Sequence, residues 1–107
     1  MMQEQPNYSY IHQLSGGDKD FEKELMNVVK IELPEEVTSY KKYLENNDFQ
    51  RAADTVHKIK HKISILGLEK SYQIAIDYEN ELREQKKGLE TKFNEILNVM
   101  VTFIAKA

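Results

Sequence analysis

The chain has 107 residues, 40% of them hydrophobic and 31% charged, enough for one small soluble domain with a single core and too few for a second. A formal net charge of -3 argues against general nucleic-acid or anionic-membrane binding, which needs a concentrated positive field. The absence of cysteine excludes disulfides, thiolate metal sites and a cysteine nucleophile, a profile compatible with a reducing cytoplasm.

The opening MMQEQPNYSY has neither the basic start nor the apolar run of a signal peptide, and no stretch approaches roughly 18 consecutive apolar residues. A soluble, cytoplasmic chain is expected, and its methionine start leads to the expectation of a standalone protein. Residues 1–7 read as a flexible N-terminal arm, and residues 8–107 as one domain. Ile11 and Leu14 stand three residues apart before Gly16 and Gly17, which predicts a short helix. Asp18 suits the N-cap of the next helix. From there to about Asn46, Phe21, Leu25 and Val28 keep one helical stripe, and Leu33, Val37, Tyr40 and Leu44 a second. Pro34 between them removes one backbone donor, and one long, bent helix is expected. Asp48 caps a third major segment, whose apolar side is Phe49, Ala52, Ala53, Val56, Ile59, Ile63 and Leu66, with Gly67 ending it. Leu68, Tyr72, Ala75 and Leu82 mark another helix up to EQKKG. The cleanest amphipathic pattern, Leu89, Phe93, Ile96, Leu97, Met100, Val101 and Ile104, closes the chain.

Four amphipathic helices joined by short turns must bury their stripes against one another. The expected fold is therefore all-α: an antiparallel four-helix bundle with a short N-terminal helix covering one end, present as a monomer.

The stretch VHKIKHKIS, residues 56–64, carries the chemistry. At roughly 100° per residue, His57 falls about 115° and His61 about 155° from the middle of the apolar stripe, so both meet water. Lys60 lies about 55° away on the His57 side, its stem along apolar surface and its ammonium outward. Ser64 follows two turns along on that flank, whereas Lys58 and Lys62 point to the other side. An exposed imidazole with a cation one turn ahead is a nucleophile near neutral pH and a place to hold an anion. Two plainer readings stand beside this one. An exposed histidine on a charged helix is ordinarily a surface residue. Histidines at i, i+4 can also share a metal ion, but two ligands are too few for zinc, and His12 is on the first helix with nothing to bring it to the pair. No resident metal or cofactor is expected.

The stretch AADTVHKIKHKISILGLEK resembles the histidine phosphotransfer (HPt) family, in which a histidine is followed by lysine at +3, commonly glycine at +4, and glycine at +10. The resemblance places His57 as phosphoacceptor and Lys60 as the residue that offsets phosphoryl charge, with Lys58, Ser64 and Gly67 supporting them. It extends over about residues 8–104. One departure stands out, because His61 occupies the position where many members have glycine. Glu79 falls roughly where some members carry an amide facing the histidine. The resemblance implies a phosphocarrier without ATP-dependent kinase activity of its own. Its partners would be response-regulator receiver domains, which supply the divalent metal, and a hybrid histidine kinase. Ile11, Leu14 and Ile65 are candidate docking residues, ordinary packing of the first helix being their alternative. No Gly-rich phosphate loop is present. A receiver-binding bundle that accepts no phosphate is the competing function.

Other features have simpler readings. Glu35 and Glu36 after Pro34 suit a solvated first helical turn, the six tyrosines suit core edges and surface, and EQKKG suits a helix end.

Overall fold

The structure, a computed structural model, describes residues 4–107. Its order is α1 (Ser9–Ser15), α2 (Lys19–Glu45), α3 (Phe49–Ile65), α4 (Glu69–Arg83) and α5 (Glu90–Lys106). The fold is all-helical, with no strand among the described residues. None of these helices is long and apolar enough to cross a membrane.

Local chemistry sets the boundaries. The Asp18 carboxylate accepts from the backbone N–H groups of Asp20 and Phe21 at 3.0 and 3.2 Å, and Asp48 accepts from Arg51 N–H at 3.1 Å, so two helices start on side-chain caps. Pro34 sits inside α2 without ending it, and Thr38 Oγ1 donates back to the Pro34 carbonyl at 3.0 Å. Because α2 is continuous, Glu35 and Glu36 do not form a first helical turn. Glu36 is instead largely buried and accepts from Lys62 of α3 at 3.0 Å.

Helix α2 packs on α3, α3 on α4, α4 on α5 and α5 on α2, while α1 lies against α2 and α3. The second expected stripe of α2 and most of those of α3, α4 and α5 meet in one core, with Leu33, Val56, Ile59, Ile63, Leu82, Phe93 and Met100 buried. The first stripe of α2 is corrected: Phe21 and Val28 are exposed, as is Val101 on α5, and it is Met26 and Val29 that α2 buries there. At its centre Tyr40 and Tyr78 share a hydroxyl–hydroxyl hydrogen bond of 2.6 Å and pack edgewise or tilted against Phe93. Two buried polar groups thereby satisfy one another.

The N-terminal segment, expected as a flexible arm, makes specific hydrogen bonds to the rest of the chain. Residues 1–3 of that arm lie outside the described residues, but Glu4 and Asn7 are tied to the α3–α4 turn. Glu4 accepts from the N–H groups of Lys70 and Ser71 at 3.0 and 2.9 Å, which caps α4 from a distant part of the chain. Asn7 N–H donates to the Leu66 carbonyl at 2.9 Å, and its side-chain amide donates to the Gly67 carbonyl at 3.3 Å. Gly67 has φ +73, a left-handed conformation, and a Cβ built there would stand 2.5 Å from Asn7 Oδ1. Glycine is thus required twice, by the turn and by the segment seated on it.

Candidate functional site

Burial of Ala52, Ala53, Val56, Ile59 and Ile63 fixes the rotation of α3 and turns His57 outward. Its side chain is 53% exposed, and Nδ1 lies 3.3 Å from Glu79 Oε1 on α4. Lys60, one turn on, places Nζ 3.0 Å from that same oxygen. Glu79 Oε2 accepts from Arg83 Nη2 at 3.1 Å, and this nitrogen also reaches Asp54 Oδ1 at 3.0 Å, back on α3. The site is therefore a chain of charges between two helices, with a buried carboxylate at its middle.

The charge state of Glu79 follows from its partners. Burial acts to raise its pKa, but hydrogen bonds from Lys60 and Arg83, the Lys60 charge and the His57 contact outweigh burial and hold it below the ordinary value. An ionised carboxylate only accepts, so the His57 Nδ1–H donates to it. In the neutral ring the lone pair is then on Nε2, across the ring from Glu79. At 3.3 Å this hydrogen bond is long, and it orients the ring more than it binds it.

This geometry corrects the expectation for Lys60. Its side chain is only 14% exposed, with the ammonium turned onto Glu79 and 5.9 Å from the centre of the Tyr72 ring instead of standing in water beside the imidazole. An anion arriving at His57 competes with the protein's own carboxylate for that lysine.

His61 is exposed, and its ring meets that of His57 edge to face, with centroids 5.3 Å apart at 83°. It lies with Lys58 on a groove of about 560 Å³ between α2 and α3, which Glu32, Glu35, Glu36 and Lys62 also line. Lys62 is buried rather than projecting to solvent, and its ammonium bridges Glu32 and Glu36 at 2.7 and 3.0 Å. No group of three or more His, Asp or Glu able to hold a metal occurs among the described residues. His12 is engaged elsewhere, with Nδ1 2.9 Å from Glu22 Oε2.

The remaining candidates separate. Ser64 is half-buried and lines a small cleft with Tyr10, Gly67, Leu68 and Tyr72, at the end of α3 away from His57. Gly67 serves the turn. Ile11 is fully buried in the core, on a helix that packs against α2 and α3, so it is withdrawn as a docking residue. Leu14 is 48% exposed, and Ile65 is half-buried against the core.

Glu79, placed by the sequence only roughly opposite the histidine, is at the middle of the site, and Arg83, which the sequence does not single out, is bonded to it. A signal was available. Glu79 falls four residues after Ala75 and three before Leu82, inside the apolar stripe of α4, where an ionised side chain needs a partner. Lys62 carried the same signal between Ile59 and Leu66. Comparison of the chain with protein-family models, curated proteins and solved structures returned no match.

Proposed function

We propose that the chain is a histidine phosphotransfer protein, which accepts a phosphoryl group on His57 from the aspartyl phosphate of one receiver domain and passes it to the aspartate of another. One observation carries this reading: His57 is exposed on a packed helix with Nδ1 facing a buried carboxylate, which leaves Nε2 as the nucleophile. Lys60 is one turn away and able to shift from Glu79 to a phosphoryl oxygen. The cyclic packing of α2, α3, α4 and α5, with α1 over α2 and α3, supports the antiparallel four-helix bundle of that family.

The mechanism that follows is in-line. Nε2 attacks phosphorus, Lys60 offsets the roughly −2 charge of the arriving group, and the receiver contributes the divalent metal. The exposed Leu14 and the half-buried Ile65 are the apolar residues offered to the receiver. A hybrid histidine kinase would stand upstream, and the protein would act as a cytoplasmic monomer.

A second reading has an observation in its favour. Because Glu79 already holds Lys60, a bundle that binds receivers without taking their phosphoryl group would have the same resting geometry. Incubation with a labelled phospho-receiver separates the two. Phosphotransfer gives an acid-labile, base-stable label that His57→Gln abolishes and His61→Gln leaves in place. Binding without label with every receiver tested selects the second reading.

A further inference from the structure

His57 and Glu79 are coupled through the one ring nitrogen that phosphotransfer leaves untouched. We propose that Glu79 is a positioning residue that keeps a proton on Nδ1 of phosphorylated His57, and so holds the phosphoryl group in its readily transferred form. This rests on His57 being the phosphoryl acceptor and concerns how long the group stays there.

The electron count shows why the proton matters. When Nε2 of neutral His57 attacks an aspartyl phosphate, the N–P bond forms, the P–O bond breaks and its electron pair leaves on the carboxylate. The product ring is a phosphoimidazolium, still carrying its Nδ1–H toward Glu79 Oε1, 3.3 Å away in the resting protein. On transfer to the next carboxylate the N–P bond breaks, its electron pair returns to Nε2, and the ring departs as the neutral Nδ1–H imidazole from which it began. Had Nδ1 lost its proton, the ring would have to depart as an imidazolide anion, a far more basic and poorer leaving group.

The groups facing this nitrogen favour retention of the proton. From α4, Glu79 presents a carboxylate to it and Arg83 bridges Glu79 to Asp54. From α3, Lys60 shares the Glu79 oxygen and the His61 ring adjoins that of His57. From α2, Glu32, Glu35 and Glu36 line the groove beyond His61, where Lys58 and Lys62 offset them. Around His57, Lys60 and Arg83 balance Glu79 and Asp54, and the group that touches Nδ1 is an anion. A phosphoryl group of about −2 then changes the balance in two ways. It adds negative charge to the ring itself, and it draws Lys60 away from Glu79, leaving that carboxylate less neutralised beside Nδ1–H. An adjacent opposite charge moves a pKa by about 1–3. With Arg83 remaining on Glu79, the expected effect is about one pH unit, or about tenfold in the protonated fraction above both midpoints.

The test uses the full chain carrying His12→Gln and His61→Gln, so that His57 is the only imidazole, phosphorylated chemically with phosphoramidate. Loss of phosphate is followed from pH 6 to 9 with Glu79 present and with Glu79→Gln. The Glu79 protein should keep its lability to about one pH unit higher, and at pH 8 the Gln variant should hold phosphate about tenfold longer. Coincident profiles, or faster loss from Glu79→Gln, overturn the proposal. Should Glu79→Gln not fold, the ¹⁵N shift of Nδ1 in the phosphorylated Glu79 protein decides: a titration midpoint above that of the same phosphorylated chain unfolded in urea supports the proposal, and one at or below it overturns it. Since phosphoramidate replaces the receiver as donor, failure of the Glu79 effect is distinct from failure of receiver transfer. A His57 that takes no phosphate from phosphoramidate overturns both.

Discussion

Gly67→Ala tests the joint between the N-terminal segment and the α3–α4 turn. Alanine at φ +73 incurs the left-handed penalty, about 1–2 kcal/mol. Its Cβ would also lie 2.5 Å from Asn7 Oδ1 and 2.8 Å from Asn7 Cγ and Nδ2, so the Asn7 side chain must move. Moving it weakens the bond from its amide to the Gly67 carbonyl and the bond Asn7 Oδ1 accepts from Ser9 N–H at 3.0 Å. Both are exposed, so together they contribute on the order of 1 kcal/mol. The expected destabilisation is about 2–3 kcal/mol, read as a lower urea midpoint at unchanged slope. In an Asn7→Ala background the clash is absent, and the cost of Gly67→Ala should fall to the backbone penalty alone, a coupling of about 1 kcal/mol. A total cost below about 0.5 kcal/mol would refute the backbone argument, and equal costs in the two backgrounds would refute the contact with Asn7.

Further outcomes can be stated for other parts of the molecule. Burial acts to raise the Glu4 pKa, but hydrogen bonds from the Lys70 and Ser71 amides and the charge of Lys70 outweigh it and lower the pKa. A depressed carboxyl contributes stability that is present above its unfolded value near 4.5 and lost as pH falls through the folded value. Glu4→Gln should therefore cost about 1 kcal/mol at pH 7 and flatten the acid limb of the stability–pH curve. An unchanged limb would show that Glu4 does not cap α4. Tyr40→Phe leaves the buried Tyr78 hydroxyl unpaired and should cost about 1–3 kcal/mol. Adding Tyr78→Phe should recover most of that loss by thermal unfolding, and two additive losses would contradict the paired hydroxyls. Lys62→Met strands the largely buried Glu36 carboxylate and should cost about 3 kcal/mol in urea unfolding, with Glu36→Gln in the same chain restoring part of it. No recovery would mean that Lys62 matters for packing rather than for charge.

The helices were legible because amphipathic periodicity and N-cap residues are local signals. Pro34 fits this pattern, since one helix running through it was expected and α2 is continuous there. The outward turn of His57 was legible for the same reason, being fixed by the apolar positions of its own helix. What was not legible depends on a second segment. The burial of Ile11 is decided by where α1 lies on α2 and α3, and a seven-residue helix carries too short a pattern to say so. The state of Lys60 depends on Glu79, 19 residues later on a facing helix. Rotation about α3 predicted where the lysine stem leaves the backbone but not the carboxylate its ammonium would find.

The Glu4 cap joins segments 66 and 67 residues apart, and that separation makes it a reporter of motion. A segment held by a few hydrogen bonds opens at a small fraction of the cost of global unfolding. The amides of Lys70 and Ser71 owe these hydrogen bonds to the arm and not to their own helix, so their hydrogen exchange should follow release of the arm while the core amides of α3 stay protected. Each such release frees the first turn of the helix that carries Glu79. The two exchange rates therefore measure how often the carboxylate beside His57 loses the anchor at the other end of its helix.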